Sequence, residues 1–334
     1  ASAAVNEGVS LCRNSGNKRA VALVNAVLRK LSANIDKLPK VPDKGTAQYL
    51  STLYSHPLWL VECFLKDHDF DFVERLLAAN NIDPGATIQI NPLRTNIEEL
   101  SSRFRAKGIH VEPSGFNNSL HAARISGITE LPEYKDGLFY IQDQAAMTAV
   151  LCSGVQRDMK VLDSCAAPGG KSFATAIQMQ NKGEILSCDV SERKLPEITS
   201  NAERLGLNII ETRQMDAANP APELYESFDV VFADVPCSGL GVIRKKPEIR
   251  FKNPEALNFF PSKQKEILSG VSKCLKPGGA LLYSTCTVLR EENEGVISEF
   301  IGDNPDFYVE DEKTLWPHID NMDGFFICRM KKKT

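Results

Sequence analysis

The sequence predicts an α/β protein whose largest domain holds a doubly wound, mostly parallel sheet of seven strands with helices on both faces. From about Gly137 onward, hydrophobic runs of strand length alternate with helical patterns, which is typical of successive βαβ units. Several of these runs stop abruptly at small and polar residues, as buried strands do before a tight turn. Two final apolar runs have the spacing of an antiparallel hairpin, which predicts one edge of the sheet.

The chain begins with a predicted helical region, residues 1–34. Apolar side chains recur at helical spacing from Val21 to Leu31, and Arg29 and Lys30 lie near the end, where cations suit the helix dipole. Residues 35–55 begin with prolines and a glycine among charges and are predicted to form a linker.

Residues 56–136 predict a small α+β subdomain. An N-cap at Thr95 or Asn96 and a stop at Gly108 bound one of its helices. The predicted elements are two helices within His56–Asn80, a strand at Thr87–Asn91, a helix at Asn96–Lys107, and short strands at Ile109–Pro113 and Ala122–Ile125.

The domain from 137 to 334 carries the regular alternation. Its predicted strands are 160–165, 184–189, 208–215, 228–234 and 279–286, with a closing hairpin of Phe307–Glu312 and Phe325–Met330. Its predicted helices are 143–153, 170–181, 191–205, 255–275 and 291–302.

Composition excludes several classes of protein. The chain has 334 residues, 43% of them hydrophobic and 25% charged, which is globular composition with room for two or three domains. There is no apolar run of about eighteen residues and no signal-peptide pattern. Nine cysteines without a C-x-x-C pair and five scattered histidines argue against disulfides and metal, so we expect a cytoplasmic protein. The net charge of −4 gives no general attraction to nucleic acid.

Two turns carry the strongest chemical signal. Asp234 and Cys237 follow the strand 228–234, and Cys286 ends the strand 279–286. Because open α/β sheets build their sites at the carboxyl ends of their strands, we expect the carboxylate and both thiols at one edge. This set suggests covalent chemistry, and the residues alone leave open which thiol attacks.

A turn rich in small residues joins the strand 160–165 to the next helix and predicts a ligand site. Small residues let a ligand approach the backbone, and the helix N-terminus offers free N–H groups. The spacing of its glycines fits neither the dinucleotide-binding motif nor the phosphate-loop motif. The alternative to a ligand site is a tight turn between strand and helix that binds nothing. Asp189 ends the second strand and suits two ribose hydroxyls, or else caps the next helix. Asp216 follows the third strand and could accept from an adenine amino group, or be a surface turn residue.

Together these motifs resemble those of the RNA 5-methylcytosine methyltransferases. The matching segments are Asp163-Ser-Cys-Ala-Ala-Pro-Gly-Gly-Lys, Asp234-Val-Pro-Cys-Ser-Gly, and Ser284-Thr-Cys-Thr with Glu291-Glu-Asn-Glu. The resemblance implies a Rossmann-like class I methyltransferase domain and S-adenosyl-L-methionine as methyl donor. The cofactor-binding residues that it implies are Cys165, Ala166, Ala167, Pro168, Gly169, Gly170, Lys171, Asp189, Asp216 and Asp234.

The resemblance also implies how the reacting groups divide their work. Cys286 is the nucleophile that adds to carbon 6 of cytosine, and Cys237 assists elimination and release. Asp234 hydrogen-bonds N3 of the base. Lys171 either holds the cofactor carboxylate or polarises Asp234.

RNA recognition is expected from the segment after the Pro-Cys turn. Arg244, Lys245, Lys246 and Arg250 could grip phosphates beside the target base, although a solvated basic loop is the alternative. The family resemblance extends to residues 1–34, which are similar to the last helices of a NusB-like RNA-binding domain that we expect to be truncated here. It implies a monomer that acts on 16S rRNA, naked or in early assembly, with no role for DNA or a membrane.

Two other functions remain open from the sequence. The same reaction could act on tRNA or on another rRNA position. Alternatively, the chain could be a non-catalytic RNA-binding assembly factor, which would bind RNA without binding S-adenosylmethionine.

Overall fold

The computed structural model describes residues 2–16, 18–37, 41, 43–116, 118–123 and 127–334. It divides into two compact units, residues 1–55 and residues 56–334. None of the helices in these described ranges is long and apolar enough to cross a membrane.

The described residues of the first unit form three α-helices, α1 (Ser2–Asn14), α2 (Val21–Ala33) and α3 (Ala47–Tyr54). The first two confirm the helical pattern expected there. α3 falls inside the segment predicted to be a linker, so that prediction missed a helix. Its N-cap is Thr46, whose hydroxyl accepts from the Tyr49 N–H at 3.1 Å. The proline-rich stretch before it masked this signal, and residues 38–40 and 42 of that stretch lie outside the described part.

The second unit begins with a small α+β layer whose sheet has the order β2-β3-β1-β4, with every pair antiparallel. Its elements are α4 (Leu58–Asp67), α5 (Phe70–Ala79), β1 (Ala86–Ile90), α6 (Ile97–Ala106), β2 (Glu112–Pro113), β3 (Ser119–Ala122), α7 (Pro132–Lys135) and β4 (Phe139–Ile141). Asn96 is the N-cap of α6, because its side chain accepts from the Glu99 N–H at 2.9 Å. The strand predicted at Ala122–Ile125 instead ends at Ala122, and residues 124–126 are not among those described.

Strand β4 corrects the predicted position of the subdomain boundary. The sequence assigns residues from 137 onward to the large domain and predicts no strand there before 160, but β4 pairs with β1 through Ile88 and Ile141 and so completes the small sheet. The sequence shows an apolar run at this point and cannot show which sheet the run joins. The small sheet therefore extends past residue 136.

The large sheet has seven strands in the order β10-β11-β9-β8-β5-β6-β7, parallel except for the pairs that involve β11. The strands are β5 (Lys160–Asp163), β6 (Glu184–Asp189), β7 (Ile210–Gln214), β8 (Phe228–Asp234), β9 (Leu275–Thr285), β10 (Phe307–Leu315) and β11 (Phe325–Lys332). The helices are α8 (Gln144–Ser153), α9 (Gly170–Gln178), α10 (Leu195–Leu205), α11 (Phe259–Val271) and α12 (Glu294–Asp303). The predicted doubly wound sheet with its antiparallel hairpin is confirmed.

Alternate strand residues feed two separate cores. Val161 and Val230 pack on the face covered by α8, α9 and α10, whereas Leu162 and Val231 pack on the face covered by α11 and α12. Because both faces are covered, the interior strands are almost continuously apolar. The polar residues that follow them are left at the carboxyl edge, where a site can form.

Candidate active site

The turn that contains Asp234 and Cys237 and the turn that contains Cys286 lie side by side at the carboxyl ends of β8 and β9. These strands are neighbours and parallel, with Asp234 directly opposite Ser284. The registration brings the turn after Asp234 beside the turn that holds Cys286. The structure therefore places Asp234, Cys237 and Cys286 together, as the sequence led us to expect.

Asp234 is held by two donors. The Lys171 ammonium donates to its Oδ2 at 2.6 Å, and the Ser284 hydroxyl donates to its Oδ1 at 2.7 Å. Lys171 is only 8% exposed and lies 5.0 Å from the centre of the Phe325 ring. A lysine this deeply buried needs a counter-charge, and Asp234 supplies it. Of the two roles left open for Lys171, this geometry favours support of Asp234.

The two thiols form a closer pair than the sequence could show. The Sγ atoms of Cys237 and Cys286 lie 3.1 Å apart, and both residues have free thiols. With Cys237 as the donor, its S–H hydrogen bond holds the pKa of Cys286 below the ordinary value, and nearby Lys171 lowers it further. The same hydrogen bond, together with burial, raises the pKa of Cys237 well above its usual range. This arrangement favours a proton on Cys237 and a thiolate on Cys286.

A third cysteine at this edge, Cys165, has an unreactive thiol. Cys165 lies in the turn after β5, where burial raises the pKa of its thiol to about 12. It therefore remains a protonated thiol at neutral pH and does not compete with Cys286 as a nucleophile.

The backbone of the Pro-Cys turn is fixed by a buried carboxylate that the sequence reasoning did not single out. Oε2 of Glu292 accepts from the Ser238 N–H and from the Gln264 side chain, each at 2.8 Å. Gln264 also donates to the Pro236 carbonyl at 3.0 Å. Glu292 belongs to the recognised Glu-Glu-Asn-Glu motif, whereas nothing in the sequence marks Gln264. These two residues hold the backbone on both sides of Cys237.

Two glycines bring the loops of the site into backbone contact. The Gly241 N–H donates to the Cys286 carbonyl at 2.9 Å, and the Gly324 N–H donates to the Gly241 carbonyl at 2.8 Å. A Cβ at Gly241 would lie 1.9 Å from the Gly324 carbonyl oxygen. No side chain fits there, which explains glycine at position 241.

Comparisons with known proteins agree with this site. The family model for "16S rRNA methyltransferase RsmB/F" matches residues 150–331, and a ferredoxin-like domain model of the same family matches residues 56–123. The chain belongs to the RsmB/F family of methyltransferases. Within the family it is similar to proteins described as small-subunit rRNA methyltransferase B.

Individual relatives cover nearly the whole chain. It is 35% identical to the probable ribosomal RNA small subunit methyltransferase B of Bacillus subtilis, over 99% of this chain and 78% of that protein. It is 31% identical to the Synechocystis protein of the same description, over 99% of this chain and 79% of the relative. A crystal structure of a methyltransferase homologue from Pyrococcus horikoshii has a TM-score of 0.75 and 25% identity, over 87% of this chain and all of that one.

As a member of this family the methyltransferase uses S-adenosylmethionine, as the sequence predicted. The turn after β5 fits that cofactor. Gly169 has a φ of +107°, and a Cβ there would lie 2.4 Å from the Phe173 ring. Asp163 is buried, which raises its pKa to about 6, and its Oδ1 has no hydrogen-bond partner among the described residues. The segment Cys165–Lys171 would hold the cofactor against the N-terminus of α9.

Asp189 and Asp216 differ in whether their carboxylate oxygens are available to bind the cofactor. Asp189 is buried at the end of β6; its Oδ1 accepts from the Ser191 N–H at 2.9 Å, and its Oδ2 lies 3.5 Å from the exposed Lys194 ammonium. One oxygen can thus turn to a ligand. Asp216 is exposed, and both of its oxygens accept within its own turn, from the Ala218 N–H and the Asn219 side chain. These bonds lower the pKa of Asp216 and match the turn-residue alternative.

The basic segment of the methyltransferase requires a correction. Arg244 and Lys245 were expected to face RNA, but both donate to Asp323, at 2.9 and 2.6 Å. Lys245 also pairs with Asp143. The charges of Arg244 and Lys245 are therefore largely neutralised inside the protein.

Arg250 and Lys246 complete the predicted basic set. Arg250 is buried, and its guanidinium donates to the Asn81 side chain at 3.1 Å. Lys246 is exposed. Lys245 is exposed as well, but its ammonium is paired with Asp143 and Asp323. Lys246 therefore fits a phosphate contact best among the four predicted residues.

The shared thiol proton has a measurable pH signature. Alkylation of Cys286 by iodoacetamide should reach half its maximal rate at a pH below the ordinary thiol value of ~8.5, because the thiolate reacts. Replacing Cys237 with alanine removes the hydrogen bond and should move this midpoint upward. Mass spectrometry of the labelled peptide over a pH series measures both. Equal midpoints in the wild-type protein and in Cys237→Ala would show that the thiols do not share a proton.

Proposed function

We propose that this chain methylates carbon 5 of a specific cytosine in 16S rRNA, with S-adenosylmethionine as donor, through a covalent bond from Cys286 to carbon 6. The observation that carries the proposal is the pair of thiols 3.1 Å apart beside Asp234. Carbon 5 of cytosine is a poor nucleophile, so an enzyme must first activate the ring. One thiol can add to the ring while the second later removes a proton.

Addition begins with the Cys286 thiolate. Its sulfur bonds to carbon 6, and the electron pair of the ring double bond moves toward carbon 5 and N3. A proton shared within the Lys171–Asp234 pair can reach N3 as charge develops there. Because the pair is held by Ser284 as well, it is positioned before the base binds.

Bound S-adenosylmethionine supplies an electrophilic methyl group on its sulfonium sulfur. Transfer to carbon 5 would break the bond between the methyl group and the sulfonium sulfur and leave S-adenosylhomocysteine, while carbon 5 would still carry its own proton. Cys237 is placed to remove that proton, directly or through a water. The carbon–sulfur bond to Cys286 then breaks, the ring double bond re-forms, and N3 returns its proton.

The pKa of Cys237 should fall once the Cys286 adduct has formed. In the free protein its pKa is raised by the hydrogen bond to Cys286, by burial and by the charge of Cys286. Once Cys286 is a neutral thioether, its hydrogen bond and charge no longer oppose ionisation of Cys237. Adduct formation thus removes two of the three causes that raise the pKa of Cys237, and burial remains. Once the thiol proton of Cys237 has passed to water, its thiolate can accept the proton from carbon 5.

The RNA part of the proposal is supported by the relatives, which are described as small-subunit rRNA methyltransferases. We also infer that residues 1–34 are the last helices of a NusB-like RNA-binding domain and that the protein acts in the cytoplasm as a monomer.

Bisulfite sequencing tests the substrate directly. The protein is incubated with S-adenosylmethionine and either naked 16S rRNA or assembled 30S subunits, and protected cytosines are mapped. We expect one protected cytosine in 16S rRNA. Protection only in tRNA or another rRNA would favour the alternative substrate, and RNA binding without cofactor binding or methylation would favour an assembly factor.

A further inference from the structure

Two aromatic rings are exposed next to the catalytic turn. Phe251 is 73% exposed and Phe259 is 65% exposed. Phe251 directly follows the segment in which basic residues were expected to face RNA, and Phe259 is the first residue of α11. Instead, Arg250 of this segment is buried and the two rings face solvent. Leaving a large ring in water forfeits its burial energy, so two of them beside a reactive site suggest a binding surface.

The segment that carries Phe251 is fastened to the Pro-Cys turn at two points. The Lys252 ammonium donates to the Ser238 carbonyl at 2.6 Å, one residue beyond Cys237. Ile249 packs on Gly239, where an added Cβ would lie 3.2 Å from its Cδ1. Phe251 lies between these two anchors, so its position is coupled to that of the catalytic turn.

Phe259 is tied to the same turn by a different route. It begins α11, and its ring lies 6.1 Å from that of Phe260, over which the Lys252 ammonium sits at 5.7 Å. Further along α11, Gln264 donates to the Pro236 carbonyl. Both exposed rings thus project from elements that bond directly to residues 236–238.

We propose that Phe251 and Phe259 stack on bases of the single-stranded RNA that flank the target cytosine. This inference rests on the proposed function. A cytosine that enters the site must leave its stack, which deprives the neighbouring bases of partners. Aromatic rings at the rim replace those partners whatever the base, because each base has a π-face.

The charges nearby favour RNA over an apolar protein surface. Lys246 is exposed before Phe251, and Lys252 directly follows Phe251, with its ammonium over the ring of Phe260. Glu248 and Glu255 are the exposed acidic residues of the same stretch. Cations next to rings can neutralise the phosphates of the stacked nucleotides. Single-stranded RNA therefore matches both features of the surface.

The test uses the whole protein and an oligoribonucleotide that carries the target cytosine, with 2-aminopurine at a flanking position. Stacking quenches 2-aminopurine fluorescence. Phe251→Ala and Phe259→Ala should each weaken RNA binding by roughly five-fold or more and reduce the quenching. Tryptophan at either position should restore both, whereas leucine, which is apolar but not aromatic, should not. Tyr308→Ala, at a 46% exposed ring on the edge strand β10, is the matched control and should bind RNA normally.

The outcomes separate the two proposals. One outcome would overturn the stacking proposal and leave the proposed function intact. In it, the wild-type protein methylates RNA, and the double variant Phe251→Ala/Phe259→Ala has the same RNA affinity and the same 2-aminopurine quenching as the wild type. Failure of the wild-type protein to methylate RNA would overturn the proposed function and this inference with it. The double variant could also bind the oligonucleotide normally but no longer associate with 30S subunits. That result would overturn stacking and would identify the two rings as part of a protein-binding surface. An unchanged unfolding midpoint and unchanged affinity for S-adenosylmethionine show that the variants are folded.

Discussion

Replacing Cys286 with alanine should abolish methyl transfer to RNA and all covalent capture of RNA by the protein. The substitution removes the thiol whose pKa is lowered, whereas the pKa of Cys237 is raised and that of Cys165 is about 12. Without an attacking sulfur the ring stays unactivated. The rate should fall by more than about 10⁴-fold, the scale on which covalent enzymes lose activity when the nucleophile is removed. Transfer of a radiolabelled methyl group to 16S rRNA measures this.

The control is Cys152→Ala, which removes a partly buried thiol from α8 and should keep near wild-type activity. Calorimetry should show that Cys286→Ala still binds S-adenosylmethionine, because the cofactor turn is untouched. If Cys286→Ala methylated RNA at the wild-type rate, the proposed mechanism would be wrong.

Replacing Cys237 with alanine should have the opposite signature, a stable covalent complex between protein and RNA. Addition and methyl transfer need only Cys286, so they should proceed. Removal of the proton from carbon 5 loses its base, which should slow turnover by about 10²- to 10⁴-fold and leave the adduct in place. The complex should appear as a slowly migrating band on a denaturing gel after incubation with RNA and S-adenosylmethionine.

The double variant Cys237→Ala/Cys286→Ala should lack this band and provides the matched control. A Cys237→Ala protein that turned over normally, with no trapped complex, would show that another group removes the proton. The two single variants thus separate attack from release.

The fold was predictable because its main signal is local. Buried parallel strands such as β5 and β8 are short apolar runs that end in turn residues, and their order along the chain implies parallel pairing. Strand β4 shows the limit of this reasoning. Its apolar run is equally clear, yet only long-range pairing with β1 assigns it to the small sheet.

The residues of the site could be predicted from the sequence, but the distances and hydrogen bonds between them could not. The strand ends place Cys237 and Cys286 at one edge, and no sequence pattern gives the 3.1 Å between their sulfurs or the side on which the proton rests. The same limit explains the basic segment. A run of cations looks exposed in sequence, but Asp143 and Asp323, which are distant in the chain, neutralise Arg244 and Lys245.

The central claim, that Cys286 attacks and Cys237 releases, is tested most directly by mapping the trapped adduct. Cys237→Ala is incubated with 16S rRNA and S-adenosylmethionine, digested with nuclease and protease, and analysed by mass spectrometry. We expect one cross-linked peptide that contains Cys286 bonded to a methylated cytosine. A nucleotide attached to any other residue, or an adduct with no added methyl group, would contradict the division of roles between the two thiols.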